Sequence, residues 1–298
     1  LRHLHGFRGI AEGTENSNFF VSLEAGEYVL TLVERGVQAD LLFTVTLLDR
    51  LKQAGLPVPF AIPNNQGQAL LELAGRPALL QPRLAGKHVL QPNPQHCAEV
   101  GKALARMHLA THKQLLEHPP ERGLPWMLAQ GAALARQLSG VSLTLLNHAL
   151  LEAQELQPLW ARLPQANLHA DLFRDNVLFD GTHLSGMIDF YNACSGPMLY
   201  DVAIAVSDWC SNCDGALDQR LLRAMLAGYA GLRPFTQIEE LHWPAVMRVA
   251  CLRFWLSRLL AARQPDQAGV QIKPPAEVEQ RLLLLRNARM DQPVALDR

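Results

Sequence analysis

The chain has 298 residues, 49% of them hydrophobic and 18% charged, with a net charge of −1. That is the profile of a globular protein long enough for two lobes with separate cores, and it needs no disulfide staples. Lys and Arg are scattered instead of clustered, which argues against nucleic acid as a partner, and no apolar run approaches membrane-span length, which argues against a membrane role.

No signal peptide is visible, so a cytoplasmic protein is the default expectation. The first residue is Leu1 and not Met, so either residues have been removed or the true start lies upstream. Cys97, Cys194, Cys210, Cys213 and Cys251 form no framework pattern. The Cys210/Cys213 pair has no second pair at zinc spacing, and two small residues on a helix is the simpler reading.

In chain order, Phe7 to Leu32 reads as a strand meander. Phe19, Val21 and Leu23 alternate with Phe20, Ser22 and Glu24 before Ala25-Gly26 turns the chain. Between its first strands lies the polar loop Gly13-Thr14-Glu15-Asn16-Ser17-Asn18, whose backbone N–H groups could cap phosphate oxygens. Any hairpin turn uses the same residue types, so position gives this loop its interest. Asp40 to Gln53 reads as a helix with Leu41, Leu42, Val45, Leu48 and Leu51 near helical spacing, stopped by Gly55. Gln68 to Leu73 and Pro77 to Leu84 supply two more strands. Gly86, followed by Pro92 and Pro94, marks a lobe boundary.

Beyond it the pattern is mostly helical. His96 to His112 carries Cys97, Val100, Leu104, Met107 and Thr111 on one stripe, with His108 as a core or boundary histidine. Further helices are expected before residue 168 and over Leu199 to Trp209, Leu217 to Leu232, Ile238 to Ala262 and Pro275 to Met290.

The chemistry concentrates in Leu168 to Phe190. Val177 to Phe179 and Leu184 to Ile188 are apolar runs around an Asp180-Gly181 turn signal, hence an antiparallel hairpin. If Phe179 pairs with Leu184, Asn176 falls opposite Met187 and shares a face with Asp189, at a diagonal of roughly 7–8 Å. An amide oxygen and a carboxylate so placed suit Mg²⁺, which takes few protein ligands and shares itself with phosphate. A lone Asp or Asn in such a loop is more often structural. The combined spacing is more telling: His169-x-Asp171-x-x-x-x-Asn176, with Asp189 thirteen residues after the Asn, matches the catalytic loop and metal-binding strand of kinases.

With GIAEGTENSNFFV at 9–21, YVLTLVE at 28–34, GLPVP at 55–59, HADLFRDNVLF at 169–179, IDFYNAC at 188–194, LYDVAIAVSDWC at 199–210 and RFWLSRL at 253–259, the chain resembles the aminoglycoside and choline kinase-like phosphotransferases, and within them the homoserine kinase branch. The resemblance spans nearly the whole chain and implies a further segment upstream of Leu1. It implies an α+β, bilobal protein-kinase-like fold, with a small N-terminal antiparallel β lobe carrying one helix over residues 1–84 and a larger, mostly helical lobe over 85–298. It also implies ATP and Mg²⁺ as cofactors and L-homoserine as the acceptor, phosphorylated on its side-chain hydroxyl in threonine biosynthesis.

Carried onto these positions, the resemblance makes Asp171 the group that orients the attacking hydroxyl and accepts its proton, with His169 ordering the loop and Asp201 supporting it. Asn176 and Asp189 become the Mg²⁺ ligands. Gly13 to Asn18 would cover the phosphates, and Gln81, Arg83 and Leu84 fall in the adenine-contacting linker. The third strand departs from the wider kinase pattern, since Thr31 stands where a Lys or Arg usually meets the phosphates. Lys87 or Arg174 could supply that charge; Glu34 and Asp40 are the acids nearest the expected partner position. A carboxylate-bearing acceptor calls for an Arg clamp, for which Arg253, Arg258 and Arg174 are the candidates. Two rivals stand beside this reading: a kinase for an aminoglycoside, choline or sugar derivative, and a nucleotide-binding pseudoenzyme, which the intact loop argues against and Thr31 slightly favours.

Overall fold

The protein is described here by a computed structural model covering residues 4–10, 16–34, 38–263 and 273–288. Gly13, Thr14 and Glu15 of the polar loop lie outside the described residues. Strands β1 (Leu4–Gly9), β2 (Ser17–Leu23), β3 (Gly26–Leu32), β4 (Leu71–Leu73) and β5 (Arg76–Pro82) form one antiparallel sheet in the order β1-β2-β3-β5-β4. The alternation read in Phe19 to Leu23 is that of β2, which pairs on both sides. The β2–β3 turn passes through Gly26 at φ +138°, a conformation L side chains rarely adopt.

Helix α1 (Gln38–Gln53) follows β3. Its buried stripe is Leu41, Thr44, Leu47, Leu48 and Leu51, whereas Leu42 is 52% exposed. The expected stripe is therefore corrected at Leu42. Steps of three and four from Leu41 reach 44, 48 and 51, while its immediate neighbour is turned about 100° round the helix.

The chain leaves the sheet through Gly86, at φ +120°, where a Cβ would lie 2.3 Å from Ser185 Oγ and 2.9 Å from the Phe179 carbonyl. Only glycine lets the backbone cross here so close to the hairpin β7 (Val177–Asp180) and β8 (His183–Met187). Lys87 then exchanges backbone hydrogen bonds with Phe179, both at 2.9 Å. A second pair of short strands, β6 (Gln165–Leu168) and β9 (Cys194–Pro197), was not anticipated from the sequence; it brackets the hairpin.

The remainder is helical: α2 (Pro94–Thr111), α3 (Leu124–Ala135), α4 (Gly140–Trp160), α5 (Met198–Trp209), α6 (Gln219–Ala230), α7 (Gln237–Ala261) and α8 (Pro275–Asn287). The fold is thus α+β, an antiparallel sheet lobe followed by a helical part. Helix α2 starts with Pro94 in its first turn and a reciprocal cap, Asn93 accepting the His96 N–H and His96 Nδ1 accepting the Asn93 N–H. All five positions of its expected stripe are buried.

Helices α2 and α6 meet backbone to backbone. A Cβ on Gly101 would lie 2.2 Å from the Met225 carbonyl oxygen, and one on Gly228 would lie 2.3 Å from that of Ala98. The core beneath contains Trp209, Trp243 and Trp255, all fully buried. Cys210 ends α5 and Cys213 is exposed in the turn beyond. This corrects the reading of the pair as helical: the chain reverses here, with the Asp218 N–H bonded to the Cys210 carbonyl at 2.7 Å. All five cysteines are free thiols.

Candidate active site

Strand β6 runs through the core and ends at Leu168, which leads into His169 and Ala170, both still buried, and then into the half-buried Asp171. Ala170 sits at φ +59°, in the left-handed region. For a residue with a Cβ this costs roughly 1–2 kcal/mol, so the surrounding structure must enforce it.

Two groups do so from opposite sides. Asp201, fully buried in the first turn of α5, accepts the N–H groups of His169 and Ala170, each at 2.8 Å, on its two oxygens. Arg253 of α7, 5% exposed, donates to the Ala170 carbonyl. Burial works to raise the Asp201 carboxyl. The hydrogen bond and charge of His108, with the donors from His169, outweigh it and hold the group below its ordinary value. His108 is a core residue in the full sense, fully buried, with Nε2 3.1 Å from Asp201 and Nδ1 2.8 Å from the Tyr229 hydroxyl.

His169 is buried and faces away from solvent. Burial depresses its imidazole, and its Nε2–H donates to the Ile188 carbonyl at 2.9 Å while the ring packs on Phe190. Its observed contacts join the loop to the end of the hairpin.

The hairpin register differs from expectation by one position. Phe179 does pair with Leu184, but a bulge at Ser185 makes Val177 the partner of Met187. Asn176 instead accepts the Ile188 N–H on its backbone carbonyl at 3.0 Å. The physical reason is tertiary: the Ser185 hydroxyl donates to the Ala85 carbonyl at 2.6 Å, drawing the extra residue toward the crossing chain. Asp189 follows at φ +64° and ψ +63°, so its direction is set by a left-handed turn and not by strand alternation. The Asn176 amide nitrogen donates to the Asp171 carbonyl at 2.8 Å, which leaves the amide oxygen as its acceptor face.

Asp171 stands at the centre. The protein around it strips water from its carboxyl and pushes it up to about 7. Arg253 opposes that rise, the charges of Asp189 and Asp175 add to it, and Lys273 opposes it further. Its Oδ2 accepts the Asn192 amide N–H at 3.2 Å, and Asn192 Oδ1 accepts from Arg253 Nη2 at 3.1 Å. Lys273, just before α8, reaches the loop through a 2.8 Å bond to Asp175. Neither Asn192 nor Lys273 carried a recognisable spacing signal; both gain their meaning only from where α7 and α8 fold.

The remaining predicted residues divide. Arg174 is bound to Asp208, through Nε at 3.1 Å and Nη2 at 3.3 Å, and to the Leu90 carbonyl at 3.1 Å. Arg258 joins α7 to α8, bonded to Glu277 at 2.9 Å and the Pro274 carbonyl at 3.0 Å. Of the three candidate arginines, Arg253 is the one hydrogen-bonded into the Ala170–Asp171 loop.

In the sheet lobe Thr31 is 2% exposed and donates to Asn18 Oδ1 at 2.7 Å. Ser17 and the Asn16 side chain both bond Glu34, Ser17 to its carboxylate and Asn16 to its N–H, and Arg76 pairs with the same carboxylate. Gln81 is buried on the Pro59 carbonyl, Arg83 lies over the Phe20 ring at 4.2 Å, and Leu84 packs against Gly186 of the hairpin. Lys87 is exposed. Among the described residues no helix is long and apolar enough to cross a membrane, and no three His, Cys, Asp or Glu side chains cluster to hold a metal.

An antiparallel sheet lobe followed by a helical part, with the His169-x-Asp171-x-x-x-x-Asn176 spacing between β6 and the hairpin, is an arrangement that phosphotransferases of the kinase type share. The sequence pattern of the phosphotransferase enzyme family matches residues 6–235, and the chain belongs to that family as an ATP-dependent small-molecule kinase. A homoserine kinase of Pseudomonas aeruginosa (strain UCBPP-PA14) is 60% identical over 296 residues, covering 99% of this chain and 94% of the relative. One from Methylobacillus flagellatus is 45% identical, covering 94% and 87%. Among solved structures, an amicoumacin kinase complex superposes with a TM-score of 0.69 at 16% identity, covering 98% of this chain and 90% of the other. Choline kinase from Cryptosporidium parvum Iowa II gives 0.63 at 14%, covering 95% and 88%. These two show a shared fold.

Proposed function

We propose that the protein transfers the γ-phosphoryl group of ATP to the side-chain hydroxyl of L-homoserine, giving O-phosphohomoserine for threonine biosynthesis. The observation that carries the acceptor is 60% identity to a homoserine kinase across 99% of the chain. The observation that supports the chemistry is the Asp171 carboxylate, held by Asn192 at 3.2 Å on a loop fixed from both sides.

Asp171 orients the acceptor hydroxyl and takes its proton late. An ordinary carboxylate near 3.9 set against an alcohol near that of water would face roughly 16 kcal/mol for full deprotonation. Raising Asp171 to about 7 lowers that gap to roughly 12 kcal/mol. Prior alkoxide formation stays out of reach. In a loose transition state the hydroxyl becomes acidic as the P–O bond forms, and a base nearer neutrality is better matched to that moment.

Asn176 and Asp189 are the residues that would hold Mg²⁺. The donor set fits: oxygen atoms only, few in number, beside a carboxyl already raised in part by the Asp189 charge. When bound, Mg²⁺ would neutralise charge on the ATP phosphates. His169 and Asp201 keep the loop in register, residues 16–18 border the phosphates, and residues 81–84 border the adenine, with the lobe boundary between 84 and 85. Arg253, as its bonds to Ala170 and Asn192 suggest, serves the loop more directly than it serves the acceptor's carboxylate.

A coupled ATP-consumption assay with Mg²⁺ and a panel of homoserine, serine, choline and aminoglycosides tests the proposal. Homoserine-dependent turnover is expected; preference for another acceptor, or none, would overturn it.

A further inference from the structure

We propose that Asn192 is a positioning residue for phosphoryl transfer: clamped by Arg253, it holds one oxygen of Asp171 and presents the other to the acceptor hydroxyl. This rests on the reading of Asp171 as the group that orients the acceptor.

The geometry gives the amide no choice of direction. Arginine has donors only, so the Asn192 atom 3.1 Å from Arg253 Nη2 must be the oxygen, and the nitrogen must then face Asp171 Oδ2 at 3.2 Å. The same guanidinium also holds the Ala170 carbonyl, one residue before Asp171. Main chain and side chain of the loop are therefore tied to one rigid group on α7. Arg253 itself is fixed by burial and lies over the Phe254 ring at 4.6 Å.

The main chain of Asp171 is already immobile, since its carbonyl accepts from Phe173 N and Asn176 Nδ2, each at 2.8 Å. What these bonds leave undetermined is rotation of the carboxylate about its side-chain torsions. Asn192 restricts that rotation. An oxygen occupied by Asn192 is withdrawn from the reaction, and the free oxygen is aimed. Misplacement on the order of 1 Å at a reacting group can cost about 100-fold in rate. Asn192 itself is carried by the single helical turn after Asp189, so the hairpin that ends in the proposed metal ligand also delivers the group that aims the base.

The test is a double-mutant cycle in the full chain, comparing wild type, Asn192→Ala, Asp171→Asn and the double variant by kcat, by KM for ATP and homoserine, and by thermal unfolding. Asn192→Ala is expected to lower kcat about 10- to 100-fold with KM for ATP and the melting temperature little changed, and to cost nothing further in the Asp171→Asn background. Asn192→Ser, which replaces the amide N–H donor by an O–H donor on a shorter side chain, is expected to retain part of the lost kcat and serves if the alanine variant folds poorly. Equal losses from Asn192→Ala in both backgrounds, or a loss expressed in the KM for ATP, would overturn the inference. Wild-type turnover by Asp171→Asn would instead remove the Asp171 assignment, and absence of homoserine turnover in the wild type would remove the acceptor, so the three failures are distinguishable.

Discussion

The Asp201 carboxylate accepts the Ala170 N–H at 2.8 Å across 31 positions of sequence, and Ala170 in turn is held at φ +59°. The group that supports the loop and the strain in the loop are thus in direct contact. Asp201→Ala would leave two buried N–H groups and His108 without their acceptor. A loss of about 3–5 kcal/mol is expected, the range for breaking a buried charged network from one side, read by urea denaturation. The sign with pH follows from the lowered carboxyl: its stabilisation is present above the unfolded value of 3.8 and is lost only as pH falls through the lower folded value. The wild-type protein should therefore keep this contribution at pH 5.

Ala170 offers a test of strain alone. Ala170→Gly removes the Cβ from a left-handed position and should stabilise by about 0.5–1 kcal/mol. Ala170→Val places a β-branched residue there and should destabilise by more than that. Melting temperatures moving in opposite directions would be the signature; a shared direction would mean that the loop relaxes.

Asp171 should trade stability for activity. Its carboxyl is raised to about 7, so in the metal- and nucleotide-free protein the group favours folding while protonated, and that contribution is lost as pH rises from about 4 through about 7. Asp171→Asn cannot ionise. It should be more stable than wild type at pH 8, on the order of 1–3 kcal/mol, with the difference shrinking toward pH 4. Denaturation midpoints at the two pH values read this directly.

The crossing of α2 and α6 predicts the cost of a single methyl group. Gly101→Ala would push a Cβ against the Met225 carbonyl, 2.2 Å away, and backbone cannot swing aside as a side chain can. Overpacking of this kind costs about 1–3 kcal/mol or more. Thermal unfolding should show the loss while kcat per folded molecule is kept.

Much of this architecture is written in periodicity. The stripe from Cys97 to Thr111 repeats over several turns, so local pattern and burial agree there, while the alternation of β2 shows in its strand pairing on both sides, with only Val21 of the strand buried. Leu42 fails because the six leucines and valines of this helix fit more than one stripe, and only tertiary packing chooses. Asn176 and Met187 were offset by one because the bulge is caused by Ala85, 100 residues from Ser185, which no local rule can see. The loop from His169 to Asn176 was legible as a motif. Asn192 was not, because its partner Arg253 arrives on α7 from 61 positions away. The ion pairs that hold the candidate clamps Arg174 and Arg258 were not legible either, because their acidic partners Asp208 and Glu277 are distant in sequence.

The decisive measurement is homoserine-dependent ADP release by the wild-type protein beside Asp171→Asn, at saturating ATP and Mg²⁺. Wild-type turnover that requires homoserine, with kcat reduced about 10²- to 10⁴-fold in the variant, the general acid–base range, is the result predicted by the Asp171 reading. ADP release indifferent to homoserine, or an Asp171→Asn protein turning over at the wild-type rate, would contradict it.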